Sequence, residues 1–561
     1  MHSDVCFVHP PSIYDFRTRE LIPGPISDVV PSTPIFEMYP IGFLSMLSYI
    51  SDRGYSGRIA NIATRMILSS KFDAKKYISG IDADVFGIDL HWLPHVHGAM
   101  NMARIIREAK PDAKIIMGGF SASYFSTEIM SEHPEVDYVL KGDFQEFSLF
   151  RLLEEIGGSN RLENVPSLVY RSGAAIKSNP ASRENSPENV FLDYRLLLKN
   201  AIRYHDIAGH LPYADWINNP EAVTLIEHGC QFNCSFCGGS NFAYRNNFFG
   251  KSPVYRDPAR IAEEIELAQE VLGAPVFIAG DLNNAGEKYY ESFFAEVRNR
   301  GIDIPLLTEY FVPPSREYFI RLGKVFPDFT AEISPESSST EIRRFNGRFY
   351  TNEQLESSLS AAREEGCKKF DVYFTIGISH QGPEELRNDI KYATELMSKY
   401  AGSRMKVFSF MSPLTPFIDP GSLIYEKPEF YGFHITARTL REYYDLLDKG
   451  KSWVDFLNYF TDWMDKGSIE RLTYESEIEM MKARIDLGLI SRERGQRIID
   501  NITHYLRNEP YEASTRKDSH LSYLNKDIEW SRKHKLTEDS FLIFWYRNLK
   551  VIERNLLRKG Q

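Results

Sequence analysis

Cysteine is scarce in this chain, with five among 561 residues. So few thiols exclude a disulfide framework and fit a reducing compartment, so a cytoplasmic location is expected. No stretch approaches the ~20 consecutive apolar residues that a membrane span needs. The first residues show no basic segment followed by an apolar run, so neither a transmembrane segment nor a signal peptide is expected. Long runs of one charge are missing too. With a net charge of −11, this argues against nucleic acid as a partner. What remains is ordinary for a globular protein: 43% hydrophobic and 25% charged residues, in a chain long enough for two to four domains. Aromatic residues make up 13%, serving either large pockets or aromatic cores.

Three of the five cysteines fall in one short stretch, Glu227-His228-Gly229-Cys230-Gln231-Phe232-Asn233-Cys234-Ser235-Phe236-Cys237-Gly238-Gly239-Ser240. Their C-x3-C-x2-C spacing points to soft-metal ligation. Zinc competes, but a structural zinc site normally closes with four protein ligands. Cys6 and Cys367 are isolated, and His228 sits just before the loop. Three thiolates around an iron–sulfur cluster would leave one iron open to another ligand.

This spacing, with the aromatic Phe236 before the last cysteine, resembles the signature of the radical S-adenosylmethionine (SAM) superfamily. The resemblance implies a [4Fe-4S] cluster on Cys230, Cys234 and Cys237, SAM on the fourth iron, and Phe236 near the adenine. An external one-electron reductant of flavodoxin or ferredoxin type comes with it. The pattern after the loop agrees. Apolar runs at Val223–Ile226, Val276–Ala279, Leu306–Phe311, Phe329–Ile333, Phe370–Ile376 and Val407–Phe410 alternate with helical segments. They match the six βα units of that superfamily's incomplete TIM-type barrel, whose sites gather at strand carboxyl ends. By the same resemblance Gly280 and Asp281 would hold the SAM amino group. Glu332 and Ser334 would touch its ribose and carboxylate, Arg343 (or Arg344) its carboxylate, and Ile376 and Gly377 its adenine.

The N-terminal segment also alternates strands and helices: Val5–Val8, a helix from Ile41 to Arg53, Val85–Ile88, a helix from Gly98, Lys114–Met117, Val136–Leu140 and a helix from Phe144. Its order resembles the doubly wound (flavodoxin/Rossmann-like) cobalamin-binding domain that precedes the core in one radical SAM class. The resemblance implies corrin contacts at the strand-end residues Gly87, Asp89, His91, Gly118, Gly119, Gly142 and Asp143, where glycines let a flat ring approach. The D-x-H-x-x-G motif is absent, which implies cobalamin bound without a protein imidazole. His91, His95 and His97 could form a metal site, line the cavity or sit on the surface.

The expected fold class is α/β. A cobalamin-binding domain occupies 1–155, a connector 156–215, the radical SAM core 216–425 and a mostly helical domain 426–561. In the last, Trp453, Phe456, Leu457, Phe460, Trp463 and Met464 form one helical face, read as core. The tail with Lys550, Arg554, Arg558 and Lys559 is modestly basic. The resemblance implies SAM cleavage to a 5′-deoxyadenosyl radical, hydrogen abstraction from an unactivated carbon, and methyl transfer from methylcobalamin. The alternatives are cyclisation, rearrangement or carbon–carbon bond formation, or a non-catalytic corrinoid or iron–sulfur carrier. By elimination the substrate is a small molecule or a lipid.

Overall fold

The computed structural model describes residues 1–19, 35–214, 216–217, 220–248, 252–414 and 417–506. The basic tail lies outside the described residues. Two parallel sheets dominate. The first contains β1 (Ser3–His9), β2 (Gly57–Asn61), β3 (Ala83–Asp89), β4 (Lys114–Gly118), β5 (Tyr138–Leu140), β6 (Leu168–Ser172) and β7 (Ala175–Ser178). Their order is β2-β1-β3-β4-β5-β6-β7, parallel through β5 and antiparallel for β6 and β7. Val5 to Val8 are buried on both faces of β1, which is why that strand reads as an unbroken apolar run. The chain reverses direction across the sheet between β1 and β3, the point where open α/β sheets bind ligands. The sheet continues past residue 155, since β6 and β7 extend it.

β2 was not legible in the sequence. Its Gly57-Arg58-Ile59-Ala60-Asn61 has no strand period, and its reasons are tertiary. Arg58 is buried against Asp206 (2.6 Å), and a Cβ on Gly57 would stand 2.4 Å from the Leu47 side chain.

The second unit begins with β8 (Ala222–Leu225), then the short antiparallel pair β9 (Glu227–His228) and β10 (Val254–Tyr255). There follow β11 (Val276–Ala279), β12 (Leu306–Tyr310), β13 (Phe329–Glu336), β14 (Lys369–Ile376) and β15 (Lys406–Pro413). The six-stranded sheet β15-β14-β13-β12-β11-β8 is parallel throughout. Among the described residues β8 and β15 do not pair, so the barrel is open along one side.

The last segment departs from one continuous helical face. The helix Trp453–Phe456 is a single turn, and β17 (Tyr459–Thr461) then pairs with β16 (Phe433–Ile435). Trp453, Phe456, Leu457 and Met464 are nevertheless buried, as core residues should be. The helix Lys466–Asp486 lies against β15, where Arg484 Nη2 donates to the Ser409 carbonyl (2.9 Å).

Candidate active site

The cysteine loop leaves the carboxyl end of the second sheet's edge and is fastened on every side. Ser252 Oγ donates to the Cys230 carbonyl (2.8 Å) and accepts from the Cys230 N–H (3.0 Å). Ser235 N–H donates to the Asn346 carbonyl (3.1 Å), and the Phe242 N–H to Asn233 Oδ1 (2.8 Å). Gly347, at φ +97°, packs so closely that a Cβ there would lie 2.5 Å from the Asn233 carbonyl oxygen.

All three loop cysteines are free thiols. Burial pushes Cys230 up to about 12 and raises Cys234 and Cys237 as well. They become thiolates only when a cationic centre displaces the protons. One zinc ion would hold tetrahedral thiolates ~3.8 Å apart, given Zn–S bonds of ~2.3 Å. The three sulfurs do not all lie within 4.8 Å of one another.

Strand ends of the first sheet face this loop across a cavity of about 720 Å³. Gly87, Asp89, His91, Gly118, Gly119, Gly142 and Asp143 all line it, as do Gly229, Gly238 and Gly239 of the cysteine loop. Gly119, at φ +110°, lies against the His91 backbone, which a Cβ would meet at 2.4 Å. His91 and His95 both line the cavity, and His95 and His97 are buried; burial lowers both of the latter to about 4. His9, at the end of β1, lies 2.8 Å from Asp89 Oδ1 and was not singled out from the sequence.

One of the places where the two units meet is Asp143, beside the cysteine loop. Asp143 Oδ2 lies 2.6 Å from His228 Nδ1 and accepts from the Tyr244 hydroxyl (2.8 Å). Burial raises the Asp143 carboxyl, but His228 and these hydrogen bonds outweigh it and hold it below its ordinary value. The turn before the first sheet's last long helix is thus tied to both flanks of the cysteine loop.

Does a corrin fit? Several cavity-lining residues carry buried polar atoms without a partner: Asp89 Oδ2, Gln145 Oε1, Glu146 Oε2, Glu227 Oε2 and His228 Nε2. Orphaned groups are costly in a native structure, and the carboxamide fringe of a corrin supplies hydrogen-bonding groups for them. At Gly118 a Cβ would find only the Leu140 carbonyl oxygen, at 3.9 Å. Gly118→Leu is therefore expected to fill the cavity without straining the strand. Corrinoid bound after reconstitution should fall at least about tenfold with iron unchanged; unchanged corrinoid would count against this bed.

The SAM contacts inferred from the sequence separate in the structure. Gly280 turns at φ +106° at the end of β11, and its N–H donates to Glu309 Oε1 (2.6 Å). Asp281 is buried, and backbone N–H groups of Asn284 (3.0 Å) and Phe311 (2.8 Å) occupy its two oxygens. Arg343 is fully buried, donating to the Ser337 and Tyr350 carbonyls and to Asn352 Oδ1. Both are committed to holding turns. Gly377, at φ +86°, donates its N–H to Gln381 Oε1 (2.8 Å). Ser334 is half-buried on β13, and Phe236 packs partly on the core.

The cation beside the thiols is Arg348. It lies 3.3 Å from Glu336 Oε1 and donates to the Phe311 carbonyl (3.1 Å). Burial disfavours its charge, but Cys234 and Glu336 outweigh that and raise it further. Sequence reading stopped at the Arg343-Arg344 pair. The available signal was Gly347, whose positive φ seats Arg348 against the cysteine loop.

Glu332 lies in the middle of β13, four residues before Glu336 at the strand's end but, across a register shift, only ~10 Å from it. Burial, then Glu309 and Asp371, push its carboxyl up to about 9. Lys369 and Glu221 also face it. In an unfolded chain the group ionises near ~4.3. The folded state therefore loses stability relative to the unfolded one as pH rises from ~4.3 toward 9. Glu332→Gln is expected to raise Tm by several degrees at pH 8 and by little at pH 5. An equal shift at both pH values in thermal melts would contradict the assignment.

Facing loops from two parallel sheets, three clustered thiols at one edge and a glycine-lined bed at the other define a two-cofactor α/β enzyme. A family model described as the radical SAM superfamily matches residues 225–393, and one described as the B12 binding domain matches 28–147. The chain is a radical SAM enzyme with a B12-binding domain, and its cofactors are a [4Fe-4S] cluster, SAM and cobalamin. An uncharacterized methyltransferase of Pyrococcus horikoshii, PH0819, is 23% identical over 365 residues, covering 64% of this chain and 74% of the relative. An anaerobic magnesium-protoporphyrin IX monomethyl ester cyclase of Rubrivivax gelatinosus is 20% identical over 422 residues, covering 69% and 71%. Among solved structures, the radical SAM methyltransferase TsrM of Kitasatospora setae, with cobalamin and a [4Fe-4S] cluster bound, superposes with a TM-score of 0.57. It is 15% identical and covers 86% of this chain and 89% of its own, a likeness of fold. Among the described residues no helix is long and apolar enough to cross a membrane.

Proposed function

We propose that this enzyme methylates an unactivated carbon of a small molecule or lipid. The single observation carrying this reading is the shared cavity, where the glycine bed of the first sheet and the cysteine-loop glycines form opposite walls. When bound, the cluster and SAM supply a 5′-deoxyadenosyl radical for hydrogen abstraction, and the corrinoid supplies the methyl group.

The chain's own residues position and exclude. Cys230, Cys234 and Cys237 are the cluster ligands, with Arg348 as the nearby buried cation. Gly280 and Glu309, together with Ser334 and Gly377, stand at or near the strand ends where SAM would lie. Asp143, His228 and Tyr244 keep the two loops in register. Asp419 accepts from the Gly238 N–H (2.9 Å) and from Trp92, closing another side between the two units. Such walls keep water from a reactive radical. The reducing electron comes from an external one-electron donor.

The cyclase relative favours a second outcome, ring formation without methylation. Anaerobic reconstitution with iron, sulfide and hydroxocobalamin, then reduction with SAM and cell extract, separates the two. S-adenosylhomocysteine formed together with 5′-deoxyadenosine supports methyl transfer. 5′-Deoxyadenosine alone supports the ring-forming outcome, and neither product defeats both.

A further inference from the structure

The barrel interior carries a row of acids. Glu309 on β12 is in register with Glu332 on β13, which is in register with Asp371 on β14. In-register residues on adjacent strands share a face at ~4.8 Å spacing. That face is the inner one. Thr224 on β8 donates to Glu264 of the covering helix (2.6 Å) and so points outward. Its neighbour Leu225 then points inward, and Leu225 is in register with Ala279, one strand from Glu309. The cavity reaches this interior, because Val223, Leu225 and Phe277 line it.

The three acids are not equivalent. Glu309 accepts from the Gly280 N–H, and Asp371 Oδ2 lies 2.6 Å from Lys369 Nζ. Glu332 is only 6% exposed, yet among the described residues its carboxyl makes no hydrogen bond and its Oε2 is buried without a partner. A buried carboxyl normally has its partners built in. Asp281, in the same unit, has two backbone N–H groups. The charge around Glu332 is negative, and the nearby cation Lys369 is engaged by Asp371. One step toward the strand ends, Tyr373 and Phe410 stack with ring centroids 4.9 Å apart, flat apolar surface of the kind a cation also favours.

We propose that Glu332 anchors a positively charged nitrogen of the substrate, an ammonium or guanidinium, inside the barrel. The inference rests on the proposed function and narrows it to a substrate class. Glu332 lies ~10 Å below the end of its strand, because a register shift after Ile333 pairs Glu336 with Phe374, three residues past Asp371, so the nitrogen and the carbon that reacts are separated by roughly that length. The substrate is an elongated amine, held by its charged end with its other end under the corrin bed. Glu332 is a binding residue and takes no part in the bond-making step.

Calorimetric titration of the anaerobically reconstituted holoenzyme tests this with two matched pairs: tyramine against tyrosol, and diaminooctane against octanediol. The amines are expected to bind at least about tenfold tighter than the alcohols. Glu332→Gln is expected to erase that preference with Tm no lower than wild type at pH 8. Equal affinity for amines and alcohols, no binding of either amine, or an undiminished preference in Glu332→Gln would overturn the inference. Failure of the wild-type enzyme to form S-adenosylhomocysteine overturns the proposed methylation instead, and leaves the titration result standing.

Discussion

Cys234→Ala is expected to abolish the cluster and, with it, SAM cleavage. Cys234 is the most buried of the three thiols at 7% exposure, while Cys230 and Cys237 are half-buried. It also sits under the Gly347-Arg348 turn, whose glycine would strike the Cys234 Cα at 2.8 Å if it bore a Cβ. Nothing nearby can replace it: Cys6 and Cys367 are buried elsewhere, and the Cys367 thiol donates to the Lys369 carbonyl (3.1 Å). Iron bound per chain should fall from about four to near background. 5′-Deoxyadenosine formation should drop by roughly a thousandfold or more. Cys367→Ala is the control and should leave iron unchanged. Full iron in Cys234→Ala would remove the cluster from this loop and return it to another metal.

Arg348→Met is the second large effect. Arg348, with its side chain 11% exposed, is a largely buried cation facing Glu336, Cys234 and Cys230 from one side of the cysteine loop. Removing one member of a buried ion pair typically costs ~3–5 kcal/mol, because the other charge is left uncompensated. Here Glu336 would be stranded at φ +69°, with Thr375 as its remaining hydrogen-bond donor. The cluster site would lose a positive charge coupled to its thiols, and a more negative surrounding makes one-electron reduction harder. Three readouts should move together: a Tm lower by several degrees, a more negative cluster midpoint potential, and SAM cleavage slower by about ten- to a hundredfold. Arg343→Met makes the contrast. Arg343 holds turn carbonyls, so its loss should lower Tm while leaving the midpoint potential where it was. If the two variants behave alike, Arg348 has no electrostatic role at the cluster.

The sequence was most legible where local chemistry is self-sufficient. The C-x3-C-x2-C loop needs no partner to declare a thiolate site, and buried parallel strands write themselves as apolar runs. Val276–Ala279 matches β11 end for end, and the other five barrel strands were found to within a few residues. Gly87 within β3 and the glycines at the ends of β4 and β5 were legible for the same kind of reason, since backbone close to a ligand tolerates little else. All seven corrin contacts inferred from them line one cavity.

Charged residues were read least well, because their roles depend on what lies opposite. Asp281 and Arg343 have their atoms taken up largely by neighbouring backbone, and Arg348 supplies a charge near the thiols. Glu332 looked like a strand-end contact until the register set it in the middle of β13 between two other acids. β2 escaped notice because a buried Arg58–Asp206 pair stands where an apolar pattern would have been. The sequence alone determined the two modules, their order and the three cysteines. Only the tertiary structure decided which charges meet, because an ion pair or a repelled carboxyl is a property of residues dozens to hundreds of positions apart. Asp143 and His228, 85 residues apart and within hydrogen-bond distance, could be joined only by folding the two sheets against each other.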